Sequence, residues 1–141
     1  MRILRAVAGG AALVVLTAAL TGCSIDALIW GPDGARVIQA TEEFIGDLAA
    51  GEPSDIICDD SAADLGESTD WVGLSAGEPE RFVAEYWGEQ VPLDPQWSIN
   101  LENLPIGAVP GDTYPGDVFY RETDEGFCVV DVVWWTIESV G

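Results

Sequence analysis

Histidine and lysine are both absent from this chain, so acid–base and nucleophilic chemistry would fall to its carboxylates, tyrosines, hydroxyls and thiols. Their absence removes Ser–His and Cys–His pairs, Schiff-base lysines and imidazole-bound metals. Asp131 interrupts the apolar run from Phe127 to Ile137. Burial there would raise its pKa and make it a general base, with Tyr86, Tyr114 or Tyr120 as neighbours. The plainer reading of Asp131 is an ion pair with Arg121 or a solvent-facing carboxylate. Asp55, Asp59, Asp60 and Asp64 form one acidic group, and Asp112 and Asp117 bracket a Tyr114-Pro115-Gly116 loop. Neither group has the D-x-[DN]-x-[DN]-G spacing that converges oxygens on calcium, so no metal site is expected. Trp134 and Trp135 face opposite ways on a strand and cannot form one stacking platform, while Trp71, Trp87 and Trp97 read as core.

Gly73-Leu74-Ser75-Ala76-Gly77 matches the G-x-S-x-G pattern of a nucleophile elbow. It lacks a base and the following α/β-hydrolase chain. Ser75 reads better as the cap of a helix, with Glu78 completing a capping box and Pro79 in the first turn. No catalytic residue is expected.

The amino terminus has the parts of an export signal. Arg2 and Arg5 precede an uncharged run from Ala6 to Leu20. Its length of about 15 residues fits a signal core and falls short of the ~20 needed to span a bilayer. Leu20-Thr21-Gly22-Cys23 follows and resembles the lipobox of bacterial lipoproteins. The resemblance implies a diacylglyceryl group on the Cys23 thiol as the only attached group, with no other cofactor, and cleavage before that residue. Two acyl chains make a stable anchor where one gives marginal binding. The expected organisation is a signal peptide over 1–22, a lipidated tether over 23–34 and an acidic domain over 35–141. With Cys23 used for lipid, Cys58 and Cys128 read as one disulfide in an exported protein, two buried free thiols or a redox pair being the alternatives.

Removing 22 residues from 141 leaves 119, enough for one domain with a core. Arg36, Arg81 and Arg121 then stand against 25 acidic residues, three minus 25, a formal charge of −22. That balance excludes nucleic acid as a partner, since phosphate binding depends on Lys and Arg. It also discourages contact with an anionic leaflet within a Debye length of about 8 Å. The expected partners are the membrane, through the anchor, and a cell-envelope protein or small ligand.

These residues must be positioned by a few elements. Val37, Ile38, Thr41, Phe44, Ile45 and Leu48 predict a helix over Ala35–Ala50, capped by Asp33 and stopped by Gly51. Ser54 to Leu65 predicts a second helix and Gly77 to Trp87 a third. Past Pro95 the period becomes two, predicting strands over Trp97–Glu102, Val118–Glu122 and Phe127–Glu138, the last two joined through Thr123-Asp124-Glu125-Gly126. The Ser24–Gly34 tether would reach about 40 Å if extended.

Helices followed by an antiparallel meander define an α+β domain, N-terminal helices packed on a curved sheet. This order is similar to NTF2-like and cystatin-like domains. On the last strand Cys128, Val130, Val132 and Trp134 should point one way and Phe127, Val129, Val133, Trp135 and Ile137 the other. Both rows are apolar, so both need cover. A Cys58–Cys128 bond would turn the first row toward the helices. Phe127, Asp131, Val133 and Trp135 would then form a ligand or interface surface covered by a pocket, a ligand or a second copy. The resemblance implies a homodimer through the sheet. The functional expectation is a membrane-anchored extracytoplasmic lipoprotein with a binding or scaffolding domain and no catalysis. The alternative is an NTF2-like ligand-binding or isomerase-like domain with a pocket near Asp131.

Overall fold

The computed structural model describes residues 10–139, with side chains from Ile25 onward. Arg2 and Arg5 lie outside the described residues, as do the side chains of Leu20 through Cys23. The described residues divide into two units between Ala35 and Arg36. Helix α1 runs Gly10–Ala49 and is interrupted at Gly31, whose φ of 78° and ψ of 168° are non-helical. Pro32 restarts the helix, where its missing N–H and fixed φ suit a first turn. The tether expected over 24–34 is thus mostly helical. At 1.5 Å per residue the helical stretch 24–30 before the break spans about 10 Å, well short of its extended length. Among the described residues no helix is long and apolar enough to cross a membrane.

In the second unit α1 ends as its sequence predicts. Gly51, at φ 75°, donates to Leu48 O and Glu52 donates to Asp47 O, the paired bonds of a Schellman cap. Beyond it lie strands β1 (Ser75–Arg81), β2 (Trp97–Glu102), β3 (Thr113–Thr123) and β4 (Gly126–Thr136). They form one antiparallel sheet in the order β1-β2-β3-β4. One helix packed on a four-stranded antiparallel sheet is the expected α+β class. Val37, Phe44, Ile45 and Leu48 of α1 pack on Trp97, Ile99, Val118, Tyr120, Val129 and Val132 of the sheet. Tyr120 Oη and Thr41 Oγ1, both buried, share a hydrogen bond of 2.7 Å inside this core.

Two expected helices are not helices. Residues 54–65 run as turns beside β4 instead. Cys58 N–H donates to Val129 O, Val129 N–H to Ile56 O and Ala62 N–H to Val130 O, so the strand edge takes up the backbone groups that a helix would have paired internally. Ser54, Ser61 and Asp64 accept from backbone N–H groups two residues on, the local bonds that favour turns over helix.

The capping reading of Ser75 also fails, because Ser75–Arg81 is strand β1 and Ser75 Oγ accepts from Asn103 Nδ2. Gly77 makes the pairing feasible: a Cβ there would overlap Asn100 Nδ2 and meet Asn100 O at 2.6 Å. Pro79 is tolerated because β1 is an edge strand. Residues 82–95 then cross the outer face as successive turns and the short 3-10 segment Val91–Leu93.

The side-chain alternation on β4 also differs from the expectation. Phe119 pairs with Asp131 and Tyr120 with Val129, so Val130 is an extra residue and β4 carries a bulge. The bulge changes the parity. Phe127 and Val129 join Val132 and Trp134 on the helix side, while Cys128, Val130 and Val133 lie on the outer side. The outer layer of Phe119 and Val130 is covered by Phe82, Trp87 and Leu93 of the same chain. No second copy is required to close it.

Candidate functional site

The disulfide organises the site. Cys58 and Cys128 are bonded with Cα atoms 5.0 Å apart, which fixes residues 56–60 against the β3–β4 hairpin. The hairpin turns through Asp124 and Glu125, with Thr123 paired to Gly126 and Gly126 at φ 145°. Between these two walls opens a cleft of about 720 Å3. Ile56, Ile57, Phe127 and the disulfide contribute its apolar lining, and Asp55, Asp59, Asp60, Asp124 and Glu125 its acidic lining.

Arg121 closes one end of the cleft. Its guanidinium donates to both Asp60 carboxylate oxygens at 2.9 and 3.3 Å, and Nη2 also donates to Leu93 O. The Arg121 hydrogen bond holds the Asp60 carboxyl below the usual aspartate range. The other two arginines of this unit are likewise engaged. Arg36 lies over Phe127 at 5.0 Å, and Arg81 lies over Trp97 at 4.2 Å while bonding Glu122 at 2.9 Å.

The proposed surface of Phe127, Asp131, Val133 and Trp135 is split by the bulge. Phe127 faces the helix layer and lines the cleft, whereas Val133 belongs to the outer layer. Asp131 accepts from Gln90 Nε2 at 3.0 Å and from the Val132 N–H at 2.9 Å, and Gln90 itself is buried. Its partner is thus an amide on the covering segment, and Arg121 pairs with Asp60 instead. Tyr120 sits in the helix-side core and Tyr86 is exposed, so neither makes the Asp–Tyr pair. Two smaller clefts lie elsewhere, one of about 310 Å3 by Ile106 and Asp112 and one of about 410 Å3 by Pro53 and Trp71. Asp131 lines none of the three.

Asp117 was missed by sequence reasoning, which left it in a loop before a strand beginning at Val118. It lies within β3 and pairs with Val133 of β4. Trp135 Nε1 donates to Asp117 Oδ2 at 2.8 Å, and the indole reaches it across Gly116, where a Cβ would overlap Trp135 Cδ1. Burial pushes the Asp117 carboxyl up, Trp135 offsets part of this, and Glu80 adds to the rise. The signal that could have revealed it is an acid next to a glycine, with a tryptophan two residues beyond its partner Val133 on the following strand.

Among the described residues no group of three or more acids or cysteines is arranged to hold a metal ion. Asp55, Asp59 and Asp60 share the cleft but are not on a helix, and Asp64 Oδ1 accepts from the Gly66 N–H instead. No family model, curated protein or solved structure matches this chain.

Proposed function

We propose that this protein is a bacterial lipoprotein of the cell envelope, anchored through Cys23, whose disulfide-bonded α+β domain binds a partner and carries out no chemistry. The observation that carries this reading is the Cys58–Cys128 bond. It occupies both other cysteines, leaves Cys23 for acylation, and is a type of crosslink that persists in oxidising, extracytoplasmic compartments. The Leu20-Thr21-Gly22-Cys23 pattern supports the anchor, and the −22 charge left by three arginines and 25 acids supports a domain held near the bilayer without lying on it. The likeness to NTF2-like domains extends to class, with the helix on one face of an antiparallel meander. Binding rather than catalysis is supported by the carboxylates themselves: Asp60, Asp117 and Asp131 each accept a hydrogen bond from Arg121, Trp135 or Gln90.

The test is metabolic labelling with an alkyne fatty acid in a bacterial host, followed by membrane fractionation. The wild-type chain should take label and sediment with membranes. Cys23→Ser should lose both properties, while Cys58→Ser with Cys128→Ser should keep the label. An unlabelled, fully soluble wild type would sink the proposal.

A further inference from the structure

We infer that the cleft beside the disulfide is a docking groove for a basic, partly apolar segment of another protein. This rests on the reading of the domain as a binding module and adds the chemistry of what it binds. The lining has two parts. Ile56, Ile57 and Phe127 offer apolar surface, and Asp55, Asp59, Asp124 and Glu125 are exposed acids around it. The only cation of the lining, Arg121, is neutralised by Asp60 and spends a further donor on Leu93 O. Arg36 lies over the Phe127 ring at 5.0 Å, so two arginines meet five acids and the groove keeps net negative charge around an apolar centre. A segment that places an apolar side chain between lysines or arginines satisfies both requirements, and charge complementarity of this kind speeds encounter and selects against acidic competitors.

Other occupants fit less well. A metal ion would need converging ligands, and no such group occurs among the described residues. A small polycation would use the rim and leave the apolar lining unoccupied. A second copy would bring its own acidic surface, and the three arginines of its domain are held by Phe127, by Glu122 with Trp97, and by Asp60. At about 720 Å3 the groove has room for several side chains. Its two walls are tied by the disulfide and by the hydrogen bonds from Cys58 to Val129 O and from Val129 to Ile56 O. A preformed groove of this kind loses little conformational freedom on binding.

The experiment uses the full chain purified in nonionic detergent, so its outcome does not depend on whether Cys23 carries lipid. A fluorescein-labelled nine-residue peptide alternating lysine with leucine is titrated by anisotropy at low and at physiological salt. Saturable binding that weakens with salt is expected. The triple variant Asp55→Asn, Asp59→Asn, Asp124→Asn should weaken it about tenfold, as removing three partly screened charge pairs implies. The control variant Glu43→Gln, Glu78→Gln, Glu102→Gln makes the same change in net charge away from the groove and should bind like the wild type. Melting curves of both variants exclude misfolding as the cause. Equal losses in the two triple variants would reduce the effect to net charge and overturn the groove. So would no saturable binding by the wild type, or displacement of the peptide by spermine at equal concentration.

Discussion

Asp117 is a carboxylate that folding places between the sheet and an indole, and its raised pKa has a stability consequence of definite sign. A carboxyl whose folded pKa lies above its unfolded value of 3.8 favours the unfolded state wherever it is ionised. The penalty is full above the folded pKa and vanishes below the unfolded one. Asp117→Asn keeps an acceptor for Trp135 Nε1, so it should raise the melting temperature at pH 7, with the gain closing as the pH falls below 4. A variant less stable than wild type at pH 7 would contradict this account. Asp60 has the opposite sign: its pKa is lowered, so its pairing with Arg121 stabilises above the ordinary aspartate range and is lost as pH falls through the folded value. Gly116 is the companion test. Gly116→Ala puts a methyl where Trp135 Cδ1 now lies, and displacing the indole should destabilise the domain by about 1–3 kcal/mol in urea titration.

At the scale of elements, what the sequence revealed depended on how local the deciding contacts are. The helix through Phe44 and the β3–β4 hairpin were readable because cap, stripe and turn lie within a few residues of one another. Ser75–Arg81 was not, since Ser75, Glu78 and Pro79 look like a helix start while the partner that makes them a strand, Trp97–Glu102, lies further along the chain. Residues 54–65 were misread for the same reason, their backbone groups being taken by Val129 and Val130. The candidate surface on β4 failed on one residue. Val130 shifts the alternation, and no local feature of Cys128-Val129-Val130-Asp131 announces it. Deleting Val130 should therefore leave a regular ladder, with Tyr120 against Val129, Phe119 against Asp131 and Cys128 still on the outer side. Free-thiol titration should then find Cys58 and Cys128 still oxidised, while loss of the buried Val130 side chain from the outer layer lowers the melting temperature. The disulfide itself closes a separation of 70 residues. Replacing both cysteines by serine should lower stability by about 2–4 kcal/mol, read from the urea midpoint.

Charge governs the behaviour of the molecule as a whole. Three arginines against 23 acids over residues 35–141 leave the domain repelling itself, and screening should relieve that repulsion. Raising sodium chloride from about 20 mM to about 500 mM, where the Debye length shrinks severalfold, should raise the melting temperature by a few degrees. Calcium chloride at matched ionic strength should raise it no further, because no group of ligands among the described residues is arranged to hold the ion. A further rise of several degrees would require a specific calcium site.

Strand β4 follows every other sheet strand in the chain, yet it supplies the partner for β3, for residues 56–60 and for Cys58. A chain threaded outward from its amino terminus thus exposes Cys23 and Cys58 together long before Cys128 arrives. Three thiols allow three pairings, and the mispairing available first is Cys23 with Cys58. On the lipoprotein reading, acylation of Cys23 removes that competitor. The lipid would then protect oxidative folding as well as hold the domain at the membrane, and unacylated chains should accumulate the wrong crosslink during export.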